Sequence, residues 1–366
     1  MYFDYTATTP IDEDVLDTYN KVQKEYYGNT ESLHRFGRVC DSLFEKAKRE
    51  IKEKINVDME LIFTHNATEA NNLGIFGVVK GKKGKIITTK IEHPSVFEIF
   101  KHLEKNGYEV IYLDILEDGK IDLEMFKREM DKNVLLVSIM WVNNIIGSIQ
   151  PIKEVIEIMK DYPKAKLHVD AVQGFCKVKP EFNFNDVDLF TISAHKFFGP
   201  KGVGCLFHKK NMMLEKHIFG SSVQMGIKPG TIDLAGSVAT CKAVKKFYPS
   251  INERFSYVKN LFDYLYDNLF NIKHISINSL KDGSPYIMNI SIRGINGETL
   301  IHMLDEKEIY VSTGSACSSK LKKPEKTILA LTNDEERANS SVRISLSHLT
   351  AKEEIDYLIN AIKEIK

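Results

Sequence analysis

Short apolar runs recur along the chain, and helical patterns lie between several of them. The runs fall at 61–64, 85–89, 110–113, 134–141, 166–169, 189–192 and 204–207. Their length and apolar character predict seven buried strands. Between them, residues 94–104 and 152–162 carry helical spacing. Strands alternating with helices predict an α/β fold: a mostly parallel seven-stranded sheet covered on both faces. Two longer helices are predicted at about 32–55 and 252–269. Beyond the second the pattern changes. Residues 288–292, 310–312 and 341–345 read as strands of a smaller α+β unit. The last segment, 351–365, reads as an amphipathic helix capped by Thr350. The expected domains are therefore 13–250, and a smaller one formed by 1–12 with 251–366.

Composition narrows the function classes. The chain has 366 residues and a formal net charge of zero. Bulk charge therefore gives no reason to expect a nucleic-acid or anionic-membrane partner. The first residues, MYFDYTATTPIDEDV, lack a basic start and an apolar run, so they do not read as a secretion signal. No stretch approaches the roughly 18 apolar residues of a membrane helix. Five cysteines are scattered without CxxC spacing. That usage predicts a reducing, cytoplasmic setting. No His/Cys cluster has zinc spacing, so no metal is expected.

In open α/β sheets, ligands bind at the carboxyl ends of the strands. Five of the runs end in polar, reactive groups. Thr64 leads to Asn66, Thr68 and Glu69; then come Glu92-His93, Asn143-Asn144, Asp170 with Gln173, and Ser193 with His195-Lys196. Singly, each has an ordinary explanation. Thr68 suits a helix start, Asn66 with Glu69 suits a capping box, and a lone lysine is usually a surface residue. A helix start also offers N–H groups to a phosphate. Five such sets on one edge predict a ligand site. A dinucleotide dehydrogenase is disfavoured, because no GxGxxG follows the first strand.

The segment DLFTISAHK, ending in Lys196, with Gly199-Pro200-Lys201-Gly202 after it, resembles the cofactor-lysine segment of class V aminotransferases, and within them of cysteine desulfurases. The likeness extends to residues 3–10, 67–72, 92–96, 142–144 and 168–173. It also covers STGSACSS, which contains Cys317, and SSVRIS, which contains Arg343.

The resemblance implies the fold type I architecture of pyridoxal 5'-phosphate-dependent transferases. It implies that Lys196 carries that cofactor and serves as a base. Asp170 would pair with the pyridine nitrogen, and Gln173 would reach the ring oxygen with Asn144 nearby. His93 would stack on the ring and count, with Lys196 and Cys317, among the catalytic residues. Ala67, Thr68, Ser193 and His195 would surround the phosphate, and Ala194 would also belong to the cofactor site. Thr231 would reach the phosphate of a second subunit in a homodimer. Arg343, beside Asn144, would clamp the carboxylate of L-cysteine. Cys317, as thiolate, would take the substrate sulfur as a persulfide and release alanine. Cys176, Cys205 and Cys241 sit in apolar patterns and read as core.

Four features depart from the family pattern. Ile145 stands where an acidic residue is usual, Trp141 where many members have histidine, Lys228 where arginine is expected, and the glycine-rich stretch before Thr231 reads Gly220-Ser221-Ser222-Val223-Gln224. The segment 318–342 is also short for the family. A short segment suggests a dedicated sulfur donor, such as to a tRNA-thiolation enzyme, over a hub serving an iron–sulfur scaffold. Competing readings are a selenocysteine lyase, another class V enzyme, and a non-catalytic homologue acting as a binding subunit.

Overall fold

The structure is a computed structural model that describes residues 1–314 and 324–365. Seven strands form the central sheet: β1 (Met59–Thr64), β2 (Lys85–Thr89), β3 (Glu109–Leu113), β4 (Val134–Met140), β5 (Lys166–Asp170), β6 (Leu189–Ser193) and β7 (Gly204–Lys209). Their spatial order is β1-β7-β6-β5-β4-β2-β3. β7 runs antiparallel to both its neighbours, and the other pairings are parallel. The predicted α/β sheet is therefore observed, with all seven strands.

The strands read as apolar runs because both faces are buried. Ile62, Ile86, Leu136, Leu189 and Leu206 point to one side. There they pack with α3 (Ala67–Val79) and α4 (Pro94–Lys105). Their neighbours Leu61, Ile87, Val137, Phe190 and Phe207 belong to the core on the other side. That core includes residues of α1 (Glu13–Glu25), α2 (Arg35–Ile55), α7 (Leu234–Phe247) and α8 (Ile251–Phe270).

A second sheet holds three antiparallel strands in the order β10-β9-β8: β8 (Ile275–Ile277), β9 (Ile287–Ile292) and β10 (Ser341–Ser345). The first residues thread beside it. Ser345 N–H donates to the Phe3 carbonyl at 2.7 Å, and Phe3 N–H donates to the Tyr310 carbonyl at 2.9 Å. The chain then crosses to the large sheet, where Thr9 N–H bonds the His195 carbonyl at 3.0 Å. Residues 1–9 thus strap the two sheets together over the site described next.

Three expectations need correction. Residues 310–312 are not a strand; Tyr310 and Ser312 make isolated bridges, to Tyr2 and Arg343. The strand β8 was not anticipated, because three residues give alternation too little length to show. Thr350 does not cap the final helix, Lys352–Glu364; Ala351 holds that place, and the Thr350 hydroxyl accepts from Ser347 N–H instead.

Candidate active site

The carboxyl ends of β1, β4, β5 and β6, the start of α4 and the N-terminal strap enclose one cavity of about 350 Å³. Ala67, Thr68, His93, Asn144, Asp170, Gln173, Ser193, His195, Lys196 and Arg343 all line it. The sequence reading anticipated these ten. Two further anticipated residues do not line it. Ala194 is fully buried behind the wall, its N–H bonded to the Val203 carbonyl at 3.0 Å. Thr231 is exposed and lies at a separate small pocket with His65 and Lys228. Cys317 lies outside the described residues.

Close packing builds the anion-facing corner. Asn66 caps α3, its Oδ1 accepting from Glu69 N–H at 2.8 Å. Glu69 turns back to His65 N–H at 2.7 Å rather than to Asn66, so the anticipated capping box is only half formed. Ala67 and Thr68 follow at the helix start, where N–H groups have no carbonyl one turn earlier to bond. Gly204 permits this placement: a Cβ there would lie 2.4 Å from the carbonyl carbon of Asn66. Beside it, the Ser193 hydroxyl is buried without a partner. The His195 Nδ1 meets the Thr8 hydroxyl at 3.1 Å. Burial first, then Lys196 and Lys177, hold the His195 imidazole down at about 3, so it is neutral at pH 7.

Asp170 ends β5 and is buried. Val172 N–H donates to its Oδ1 at 3.0 Å, and the Asn71 amide donates to its Oδ2 at 3.1 Å. Burial raises its carboxyl above the usual range, against those two donors. Asn71 also donates to the Ser95 hydroxyl at 2.9 Å, and that hydroxyl meets His93 Nδ1 at 2.8 Å. Ser95 N–H donates to the same nitrogen at 3.1 Å, so Nδ1 is an acceptor and the ring proton of the neutral form sits on Nε2. His93 lines the cavity. Its imidazole is held down at about 4, by burial first and then by Lys196, Lys326 and Arg343.

The Lys196 amine donates to the Thr6 and Ala7 carbonyls, at 2.8 and 2.7 Å. Burial, then the Arg343 cation, bring it down to about 8. A neutral fraction of this amine therefore exists near neutral pH, as a base or nucleophile requires. Arg343 is 3 % exposed. Its Nη1 donates to the Asn144 and Gly314 carbonyls at 2.9 and 3.0 Å, and its Nη2 to Asp4 at 2.9 Å. Its Nε is buried without a partner.

The sequence reading missed several contributors. Thr6 and Ala7 hold Lys196, Asp4 holds Arg343, and Asn71 joins Asp170 to Ser95. Asp4, Thr6 and Ala7 sit within the quoted segment 3–10, but nothing local tells which loop that segment reaches. The departures have structural places. Trp141 packs edge-on against Phe182 and Phe184 and does not line the cavity. Ile145 is buried with Ile146, Ile328 and Ala338. Lys228 lies 3.6 Å from Glu69. Among the described residues, no group of three or more His, Cys, Asp or Glu is placed to hold a metal ion.

The chain is similar along its length to known proteins. The class-V aminotransferase family model matches residues 1–358. A "NifS/IcsS protein homolog" of Lactobacillus delbrueckii is 38% identical over 100% of this chain and 97% of its own length. The "Cysteine desulfurase IscS" of Dictyoglomus turgidum is 36% identical over 100% and 94%. A solved "NifS-like protein" superposes with a TM-score of 0.92 at 33% identity, covering 100% of this chain and 98% of that one. The chain belongs to the class-V aminotransferase family and, within it, to the pyridoxal-phosphate-dependent cysteine desulfurases.

Proposed function

We propose that this chain converts L-cysteine to L-alanine and passes the sulfur through Cys317 to a protein acceptor. The supporting observation is the meeting, in one cavity, of the Lys196 amine, the Asp170 carboxylate, the α3 start and Arg343.

Two orphaned buried groups fit the cofactor and substrate. The Ser193 hydroxyl beside the α3 start suits a phosphate, and the Arg343 Nε suits a carboxylate. Pyridoxal 5'-phosphate would be held by Lys196, with Ala67, Thr68, Ser193 and His195 about its phosphate. Asp170 would face the ring nitrogen, Gln173 and Asn144 the ring oxygen, and His93 the ring face. Ala194 would support that wall from behind. When bound, the cofactor supplies an electron sink for the amino acid's Cα.

The chain's own groups do the rest. Arg343 fixes the substrate carboxylate. Lys196, once freed, takes the Cα proton with its neutral amine and later returns a proton. Cys317 as thiolate attacks the substrate sulfur; a sulfur–sulfur bond forms on Cys317, the carbon–sulfur bond breaks with its electron pair staying on the three-carbon fragment, and that fragment takes up a proton at Cβ and one at Cα to leave as alanine.

The reading extends to a homodimer in which Thr231 serves the partner's phosphate, and to division of the chain at about residue 250. The buried free thiols Cys40, Cys176, Cys205 and Cys241 suit a reducing cytoplasm. The preferred acceptor is a tRNA-thiolation enzyme over an iron–sulfur scaffold, a preference that rests on the family resemblance, against which residues 318–342 read as short. Persulfide transfer to both acceptor kinds tests that preference, and delivery only to a scaffold rejects it. The activity is tested by the absorption spectrum of the purified protein, then by alanine release from L-cysteine. A visible cofactor band lost in Lys196→Ala, with alanine formed by the wild type, is the expected result. A protein that binds no cofactor contradicts the reading.

A further inference from the structure

Lys177 is a buried cation that none of the steps above uses; it is 5% exposed. Its hydrogen-bond partner is an amide, not a carboxylate: Nζ donates to Gln173 Oε1 at 2.9 Å. Among the charged and titratable groups around it are Lys196, Arg343, Arg254 and Cys176, with the Tyr286 ring 6.0 Å away and His195 also within reach of its charge. Three of these are cationic, so the ammonium gains little by ion pairing. Burial, then those cations, bring it down to about 7.

Its position determines how Gln173 faces the cavity. Lys177 has N–H groups to donate to Oε1 in either protonation state, and a backbone carbonyl only accepts. Gln173 stands between the two, with Lys177 on its oxygen and the Thr6 carbonyl 3.1 Å from its Nε2. These partners leave the amide one orientation. One of the two Nε2 hydrogens goes to Thr6, and the second is available to the cavity that Gln173 lines. The turn carrying both residues is pinned. Phe175 N–H bonds the Ala171 carbonyl at 2.8 Å, and Arg254 donates to the Cys176 carbonyl at 2.7 Å.

We propose that Lys177 is a positioning residue that fixes the Gln173 amide so that an N–H donor, not the carbonyl, meets the ring oxygen of the bound cofactor. The inference rests on the proposed function. Without Lys177, Oε1 loses its donor, and the Thr6 carbonyl alone restrains the amide from a rotation that would offer an acceptor to an oxygen that carries negative charge.

The test is a pH titration of the cofactor absorption band in the wild type, Lys177→Met, Gln173→Ala and the double variant. Lys177→Met should retain the cofactor, with its band midpoint raised by about half a unit or more. Its kcat should fall about threefold with KM nearly unchanged. In the Gln173→Ala background the same change should move the midpoint no further. An unshifted midpoint in Lys177→Met overturns the inference while leaving the function intact. An equal shift with Gln173 absent also overturns it, because the charge then acts directly on the cofactor. Lys177→Arg does not depend on a neutral variant folding: it keeps a donor for Oε1 and should hold the wild-type midpoint, and a shift like that of methionine contradicts the proposal. A wild type without any band removes the function itself and this inference with it.

Discussion

Arg343 Nη2 donates to Asp4 Oδ1 at 2.9 Å, across 339 residues of sequence. Asp4 belongs to the N-terminal strap and Arg343 to β10, so this pair ties the chain's two ends together at the cavity. It also sets which guanidinium donors remain: Nη1 is spent on the Asn144 and Gly314 carbonyls, and Nε has no partner.

Removing one member of a buried ion pair leaves the other charge uncompensated. Asp4→Ala should lower stability by about 2 kcal/mol, less than a fully buried pair because the Asp4 side chain is 22% exposed. Its KM for L-cysteine should rise several-fold as Arg343 loses its alignment. Asp4→Asn keeps an acceptor and should fall between the two. Urea unfolding and steady-state kinetics measure both effects; a wild-type KM in Asp4→Ala contradicts the alignment role.

Glu92 supplies a second prediction. It is fully buried, its Oε1 accepting from the Thr89 hydroxyl at 3.0 Å and from Met140 N–H at 2.8 Å. Burial, with the Asp170 charge nearby, pushes its carboxyl up to about 8, so the protonated acid is the form present at pH 7. Glutamine resembles that form. Glu92→Gln should change stability by less than about 1 kcal/mol, and Glu92→Ala should cost about 2 to 3. A raised folded-state value means the folded protein holds the proton longer. This group's contribution is therefore lost as pH rises from 4.5 to about 8, and Glu92→Gln should remove that slope. Denaturation across this range reports it, and a glutamine variant as unstable as the alanine one argues against a protonated Glu92.

The buried lysines give the opposite sign. Lys177 and Lys196 are held down at about 7 and 8 from 10.5, so between those values the unfolded chain binds more protons. Cofactor-free protein should become more stable between pH 8 and 9. Above 9 the buried thiols Cys176, Cys205 and Cys241, all raised, begin to oppose. Lys177→Met should reduce the slope by up to about 1.4 kcal/mol per pH unit. An unchanged slope means Lys177 does not lose its proton in this window.

Much of this site is legible in the sequence because its chemistry is local. Strand ends bring Asn144, Asp170, Gln173, Ser193 and Lys196 to one edge, and each strand announces itself as an apolar run. What stays hidden depends on distant segments meeting. Nothing around Asp4 shows that it faces Arg343, and Lys177 reads as an ordinary turn lysine until Gln173 is seen to accept from it. Ala194 is the converse. It lies between two cavity residues in sequence, yet the 193–196 turn directs it into the core. Residues 310–312 alternate as a strand should, but Tyr310 pairs with the N-terminus and Ser312 with β10, so no continuous ladder forms.

In the proposed reaction, sulfur leaves L-cysteine for the thiol at position 317. Intact-mass measurement of the cofactor-loaded protein after brief exposure to L-cysteine reads this transfer. The wild type should gain the mass of one sulfur, mapped to Cys317 and removed by a reductant, with alanine released in equal amount. Cys317→Ser should keep the cofactor band and gain nothing. Sulfur found on another cysteine, or alanine released as fast by Cys317→Ser, would rule out sulfur transfer to Cys317.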